Sequence, residues 1–383
     1  METIIQPASI ADKDRILNFI KSAYVEDGDV LLQKMVDKWS WQYWENPCID
    51  RQKDDLTILI ATKGDQIVGQ ACMTPVKLKI KDQIHIATWG TDFVVLPVCR
   101  GEGVGKKLMQ DEIDHSKFMI GLRLHPVTYK IAEKLGYKTL DPVPIYRRIA
   151  RFDSYLFFQY LMKATKSKPA INGMAKTLWT RFWFDKLVAA AISSILGLRD
   201  LMERQPKKKS RTDIQEIEHF DERFDQLWNS TNHQYDVIVQ RDKEFLNWRY
   251  SQNPTLRYRK FMASRQGEIK GYIVLRKEEP GERNFGIIVD LYSSRDDQQT
   301  IDDLLRHALH FFAKSVVVIV CATSVKQYQK ALSKFGFLKM ESAVPIYYCE
   351  DASVADRLVA LKDNCFFTKG DHDWDSFTPF RPE

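Results

Sequence analysis

The stretch VVLPVCRGEGVGKKLM, residues 94–109, reads as the end of a strand, a glycine-rich turn and the start of a helix. The apolar run stops at Pro97, Gly101, Gly103 and Gly105 follow at alternate positions, and Val104, Leu108, Met109 and Ile113 recur at helical spacing. The first amides of a helix have no intrahelical partner and carry positive partial charge. A turn built on glycine lets a phosphate approach those amides without interference from Cβ atoms. Arg100 opens the turn, and Lys106 and Lys107 add cationic charge behind it. The spacing is neither the G-x-x-x-x-G-K-[ST] of a nucleoside-triphosphate loop nor the G-x-G-x-x-G of a dinucleotide-binding fold.

Working outward, residues 11–25 and 31–44 have helical periodicity, and the second helix stops at Asn46-Pro47. The runs 57–62, 66–73, 76–80 and 84–97 read as strands, with a hairpin turn at Gly64-Asp65. After the glycine turn and its helix come a strand at 118–124, a helix at 127–137 with a glycine stop, and a last strand at 144–149.

The same order then recurs. WQYWENP at 41–47 is answered by WRYSQNP at 248–254, ATKGDQIVG at 61–69 by ASRQGEIKG at 263–271, and YKIAEKLGY at 129–137 by YQKALSKFGF at 328–337. FGIIVDLYS (285–293) answers the strand through Asp92. Features matched in order at a near-constant offset indicate an internal duplication of one α+β fold. The copies differ at the turn. VDLYSSRDDQQTIDDLL (289–305) has no glycine there and carries Asp296, Asp297, Asp302 and Asp303. Acids at a helix N-terminus suit its dipole but compete with a phosphate for the same amides.

V-x-P-x-x-R-G-x-G-V-G-x-x-L-M resembles the acyl-coenzyme A signature R/Q-x-x-G-x-G/A of the GNAT superfamily of N-acyltransferases, and the order of elements over residues 3–149 is similar to that family's. The match over 213–350 is weaker. The resemblance implies two GNAT-like domains, each a mixed, mostly antiparallel sheet flanked by helices, joined by a helical insert. Expected boundaries are 1–150 for the domain with the acyl-CoA site, 151–211 for a basic insert and linker, 212–350 for a GNAT-like pseudo-domain and 351–383 for a tail. It implies that acetyl-CoA or another acyl-CoA is cosubstrate. The backbone of Arg100, Gly101, Glu102, Gly103, Val104, Gly105 and Lys106 would hold the pyrophosphate, and Val94 and Val95 would pair with the pantetheine arm like an added strand.

Acyl transfer from a thioester to an amine requires a neutral amine, a stabilised oxyanion and protonation of the departing thiolate. Asp92 is the one acid on the signature strand and the candidate base, although Asp290 at the matching place of the second copy equally suggests a shared structural role. For the acid, the family's frequent tyrosine falls at Ala132, so the role does not carry over. Tyr129 lies one turn earlier, and His125 stands where the family often has an asparagine. Both also read as structural residues. Cys99 has no partner spaced for nucleophilic catalysis, and no metal ligand set is expected. The W-x-Y-x-x-N-P pair reads as an aromatic anchor.

The six cysteines are scattered, which suits reduced thiols in the cytoplasm. The first fifteen residues carry no secretory pattern. Between Arg147 and Arg211, 15 Lys and Arg stand against 4 Asp and Glu, so the net +6 of the chain resides in this aromatic, basic middle. An inter-domain helical hairpin is the plainer reading, and peripheral contact with the inner face of an anionic membrane is the other. Short charge runs without a recognition motif argue against nucleic acid. The tail clusters Asp371, His372, Asp373 and Asp375, a poor match to any calcium loop. Its resemblance to tails of two-copy GNAT-like proteins of surface-polysaccharide biosynthesis points to a small-molecule amine, such as an amino sugar, as acceptor. The alternatives are a Fem-type aminoacyl transferase using tRNA and a non-catalytic coenzyme A-binding protein. The oligomeric state is not set by the sequence.

Overall fold

The first half of the chain runs β1 (Ile4–Ser9), α1 (Lys13–Ala23), α2 (Asp29–Tyr43), β2 (Asp55–Lys63), β3 (Gln66–Ile80), β4 (Gln83–Val95), α3 (Val104–Ser116), β5 (Phe118–Leu122), α4 (Pro126–Lys134), β6 (Lys138–Thr139) and β7 (Val143–Ile149). The second runs β8 (Asp213–Ile217), α5 (Glu222–Thr231), β9 (Val237–Val239), α6 (Lys243–Tyr250), β10 (Arg259–Arg265), β11 (Glu268–Lys277), β12 (Phe285–Ser293), α7 (Gln298–Phe312), β13 (Val318–Ala322), α8 (Lys326–Lys334), β14 (Leu338–Ala343) and β15 (Pro345–Cys349). A tail adds α9 (Ala352–Ala360) and β16 (Cys365–Phe366). The structure is a computed structural model describing residues 2–24, 29–50, 55–151, 191, 194, 212–278, 285–313 and 315–376. The expected basic insert, apart from residues 151, 191 and 194, lies outside the described residues.

The two expected strands at 66–73 and 76–80 are one strand, β3, which runs through Pro75. A proline lacks the ladder N–H and is tolerated where one flank is unpaired. Here β2 pairs β3 only as far as Cys72 and β9 only from Leu78, so Pro75 faces the gap between them. In that gap Asn46, from the N-P end of the motif, donates to the Pro75 carbonyl at 3.0 Å.

The sheets repeat one order with an exchange. The first is β1-β2-β3-β4-β5-β15-β6 and the second β8-β10-β11-β12-β13-β7-β14. Each half thus inserts its last strand between the other half's final two. β15 pairs antiparallel with β5, Pro345 opposite Leu122, and β7 with β13, Ile145 opposite Ala322. The tetrapeptide Val-Pro-Ile-Tyr opens β7 at 143–146 and recurs at 344–347, where its last three residues open β15, so each slot receives a similar surface from either copy. The boundary drawn at residue 150 follows chain order, whereas in space β7 belongs to the second sheet.

The halves also meet through the duplicated motif. The Trp41 and Trp248 rings stack at 4.9 Å, each indole N–H donating to the other's backbone carbonyl at 2.8 and 3.0 Å. This reciprocity is that of an isologous contact, residue i on j and j on i. One apolar core spans the junction, joining Trp41, Trp89, Tyr146 and Tyr347 to the second sheet. We expect fragments 1–150 and 212–383 to be insoluble alone and to co-purify when co-expressed. The full chain should unfold in one calorimetric transition, whereas two independent transitions would contradict the exchange.

Candidate functional site

Strand β4 ends in the turn that the sequence singled out. Pro97–Cys99 form a 3-10 turn, and α3 begins at Val104 with Gly103 as its N-cap. Gly101 and Gly103 have φ of 89° and 82°, a region in which an L side chain is strained. A Cβ at either would meet nothing within 4 Å, so the need for glycine lies in the backbone and the space above the turn is open. Val104 is buried and pins the helix start, while Arg100, Gly101, Glu102, Gly103, Lys106 and Lys107 are exposed. Lys63 of β2 ion-pairs with Glu102 and holds the outer lip of the turn. The result is a helix N-terminus with free amides and cations on its rim, a geometry that receives phosphate.

β4 pairs with β3 along its length, but with its parallel neighbour β5 only at Thr88–Met119 and Trp89–Ile120. From Gly90 onward the two strands part, so Val94 and Val95 border a cleft.

The divergence begins at a β-bulge. Gln70 lies opposite Val94 and Cys72 opposite Thr91, so Asp92 and Phe93 together face Ala71. Asp92 has φ 43°, and Gln70 Nε2 donates to its carbonyl at 3.2 Å. Such bulges re-aim a side chain and often lie beside active sites. The Asp92 carboxylate accepts from the Tyr43 hydroxyl at 2.6 Å and ion-pairs with Lys38 at 3.1 Å. Burial opposes the charge on Lys38, but Asp92 and Asp373 outweigh it and raise its pKa. Burial and the Asp92 carboxylate push the Tyr43 phenol well above its ordinary value, so it serves as a donor.

The second copy uses the same pair of residues differently. Tyr250, the motif tyrosine, donates to Asp290 at 3.1 Å, as Tyr43 does to Asp92. Asp290, however, is 1% exposed, has no positive φ, and also accepts from Tyr272 at 2.9 Å and Thr368 at 3.1 Å. Arg241 completes the cluster, 3.3 Å from Asp290 and 2.7 Å from Asp371, with its guanidinium over the Phe366 ring. At the start of α7, Asp297 occupies the cap, accepts from the Thr300 amide at 3.0 Å and ion-pairs with Arg265. Its own side chain takes what a phosphate would take.

The remaining sequence candidates lie apart from this centre. His125 is exposed and caps α4, its Nδ1 accepting from the Val127 amide at 3.3 Å. Tyr129 is half-buried against the Met109, Ala132 and Ile346 cluster. Among the described residues no hydrogen bond or ion pair joins either of them to Asp92. Sequence reasoning missed the tail's part. His372 approaches the Gly90 carbonyl at 3.3 Å through Nε2 and Asp373 at 2.6 Å through Nδ1, and Asp373 is 4.0 Å from Lys38. The tail acids that read as a loose cation cluster instead serve Arg241, Arg249 and His372, with Asp375 on Arg249 at 2.5 Å. Nothing in the local spacing signals that partnership, because Arg241, Arg249, Lys38 and Gly90 all lie elsewhere in the chain.

Residues 5–140 match the model of the acetyltransferase (GNAT) domain. No match was found among curated proteins. Among solved structures, the chain is similar to a probable N-acyltransferase from Enterococcus faecalis, at 11% identity and TM-score 0.57, over 91% of this chain and 73% of that one. A GCN5-related N-acetyltransferase from Anabaena variabilis aligns at 11% and 0.57, over 90% and 72%. Saccharomyces cerevisiae N-myristoyltransferase with bound myristoyl-CoA aligns at 10% and 0.53, over 90% and 82%. Identities this low establish shared architecture, and the domain match applies to residues 5–140. Residues 5–140 carry a GNAT acetyltransferase domain, and the chain as a whole shares the architecture of these structures over about nine-tenths of its length.

Proposed function

We infer that the chain transfers an acyl group, acetyl or longer, from acyl-CoA to the amine of a small molecule, with the chemistry in the first half. One observation carries this reading: among the described residues no side chain caps the first amides of α3, which lie beneath open space at the Gly101 and Gly103 turn, whereas Asp297 takes the Thr300 amide at the start of α7. The pyrophosphate of the donor lies on the backbone from Arg100 to Lys106, and the pantetheine arm follows Val94 and Val95 into the cleft between β4 and β5. At the inner end of that cleft Asp92 receives the proton of the incoming ammonium, positioned by Tyr43 and Lys38. An amino sugar of surface-polysaccharide synthesis is the acceptor favoured by the resemblance of the tail. Among the described residues no helix is long and apolar enough to cross a membrane. The second half completes the junction and takes no coenzyme A by this route. A tRNA-dependent aminoacyl transfer has no use for the glycine turn.

Titration calorimetry with acetyl-CoA and longer acyl-CoAs tests the donor, and thiol release over a panel of amines and amino sugars tests the reaction. Asp92→Asn is expected to lower kcat about 10²-fold or more, the size of a lost general base, with the dissociation constant of the donor within about twofold. An unchanged kcat would make Asp92 structural, as Asp290 is.

A further inference from the structure

Helix α3 buries a stripe of Val104, Leu108, Met109 and Ile113, and among them Glu112, 3% exposed. Among the described residues its Oε1 has no hydrogen-bond partner. Burial pushes its pKa up to about 8. An unpaired buried carboxylate is costly, so the group is neutral at pH 7 and offers an O–H donor.

Its position gives that donor a place to act. β4 and β5 last pair at Trp89 and Ile120. A Cβ set on the next residue, Gly90, would lie 3.5 Å from Met119 Cε and 4.0 Å from both the Ile120 carbonyl and Glu112 Oε1. The acid therefore stands at the notch where the strands separate, and glycine at 90 leaves the notch clear. The titratable groups facing Glu112 are Cys72 of β3 and Tyr137 beyond α4. Burial raises both, so both are neutral, and among the described residues no cation opposes the acid.

The second copy serves as an internal control. Setting the buried stripe of α7 (Thr300, Leu304, Leu305, Leu309) on that of α3 places Ala308, fully buried, against Glu112. Packing alone is satisfied by alanine. The acid occurs in the copy with the glycine turn and not in the copy whose helix start is capped by Asp297.

We propose that Glu112 is the proton donor of acyl transfer, protonating the coenzyme A sulfur as the C–S bond breaks. The proposal rests on the acyl-transfer reading above. The ammonium gives its first proton to Asp92, and the free amine attacks the thioester carbonyl to form the C–N bond. When the tetrahedral oxyanion collapses, the C–S electron pair goes to sulfur, which takes the proton of Glu112. The second proton of the amine, released as the amide forms, restores Glu112. Asp92 returns its proton to solvent, so amide, thiol and one proton leave. This supplies the role left open by Ala132.

The test compares coenzyme A with desulfo-coenzyme A by calorimetry on the full chain. Wild type is expected to prefer the thiol about fivefold, the worth of one hydrogen bond, and Glu112→Leu to erase that preference while still binding the desulfo analogue. Glu112→Gln is expected to lower kcat about 10²-fold or more, to leave the KM for acyl-CoA unchanged, and to abolish the alkaline fall of kcat near pH 8. Leucine suits the stripe, so Glu112→Leu should melt no lower than wild type. The raised pKa of Glu112 means that the wild-type fold loses stability as pH climbs from about 4.5 to about 8, and Glu112→Leu should lack this slope. Equal binding of both ligands by wild type, or a Gln variant with wild-type kcat and pH profile, would overturn the role of Glu112 and leave the acyl-transfer reading intact. Wild type binding neither ligand would overturn that reading, and this proposal with it.

Discussion

Gly103→Glu is expected to weaken acyl-CoA binding about 100-fold. Two effects combine. At φ 82° an L side chain strains the cap by about 1–2 kcal/mol, which loosens the amides that receive the phosphates. The new carboxylate then sits on the helix dipole and competes for those amides as Asp297 does in α7. Losing one charge-assisted hydrogen bond costs about 1.5–3 kcal/mol. Gly103→Ala separates the two effects, because it adds strain without charge into open space, and its loss should stay within about tenfold. Calorimetric titration with acetyl-CoA decides. Unchanged affinity in Gly103→Glu would remove the first half from the role assigned to it.

The second large effect concerns stability. Arg241→Leu should destabilise the fold by about 3–5 kcal/mol, the usual result of removing one partner from a buried ion pair. Arg241 is 1% exposed, and its loss would leave Asp290 and Asp371 without their ion-pair partner among the described residues. Domains are stable by roughly 5–15 kcal/mol, so the variant is expected to fail to accumulate or to melt much earlier. Adding Asp290→Asn removes one stranded charge and should recover part of the loss. Urea unfolding of the three proteins measures the coupling, and additive losses would mean that Arg241 and Asp290 do not interact.

Local pattern was enough to recognise the duplicated fold and the glycine turn. Hydrophobic period and turn chemistry depend on neighbours in the chain, and they placed the hairpin turns at Gly64 and Gly267, the strand through Asp92 and the glycine turn at 101–105 close to where the structure has them. The exchange of β7 and β15 was not legible. Two strands that share Pro-Ile-Tyr present a similar face to either sheet, and nothing local distinguishes the slots. The surroundings of Asp92 were half legible. Tyr43 stood out within a repeated motif, but Lys38, His372 and Asp373 meet only through tertiary structure. Glu112 was hidden for another reason. Its place four residues after Leu108 sets it on the buried stripe, yet a glutamate in an amphipathic helix is ordinarily taken for its wet face.

The reciprocal insertion of strands also governs how the molecule is made. The slot beside Leu122 is filled by Pro345, which leaves the ribosome some 220 residues later. At about 5–20 residues per second the delay is roughly 10–45 seconds. Throughout that interval the nascent first sheet keeps an unpaired flank at β5, open to any neighbouring polypeptide. A chain of this architecture therefore depends during synthesis on something transient to shield that flank, and its yield should respond to chaperone supply and to growth temperature more than its finished stability suggests.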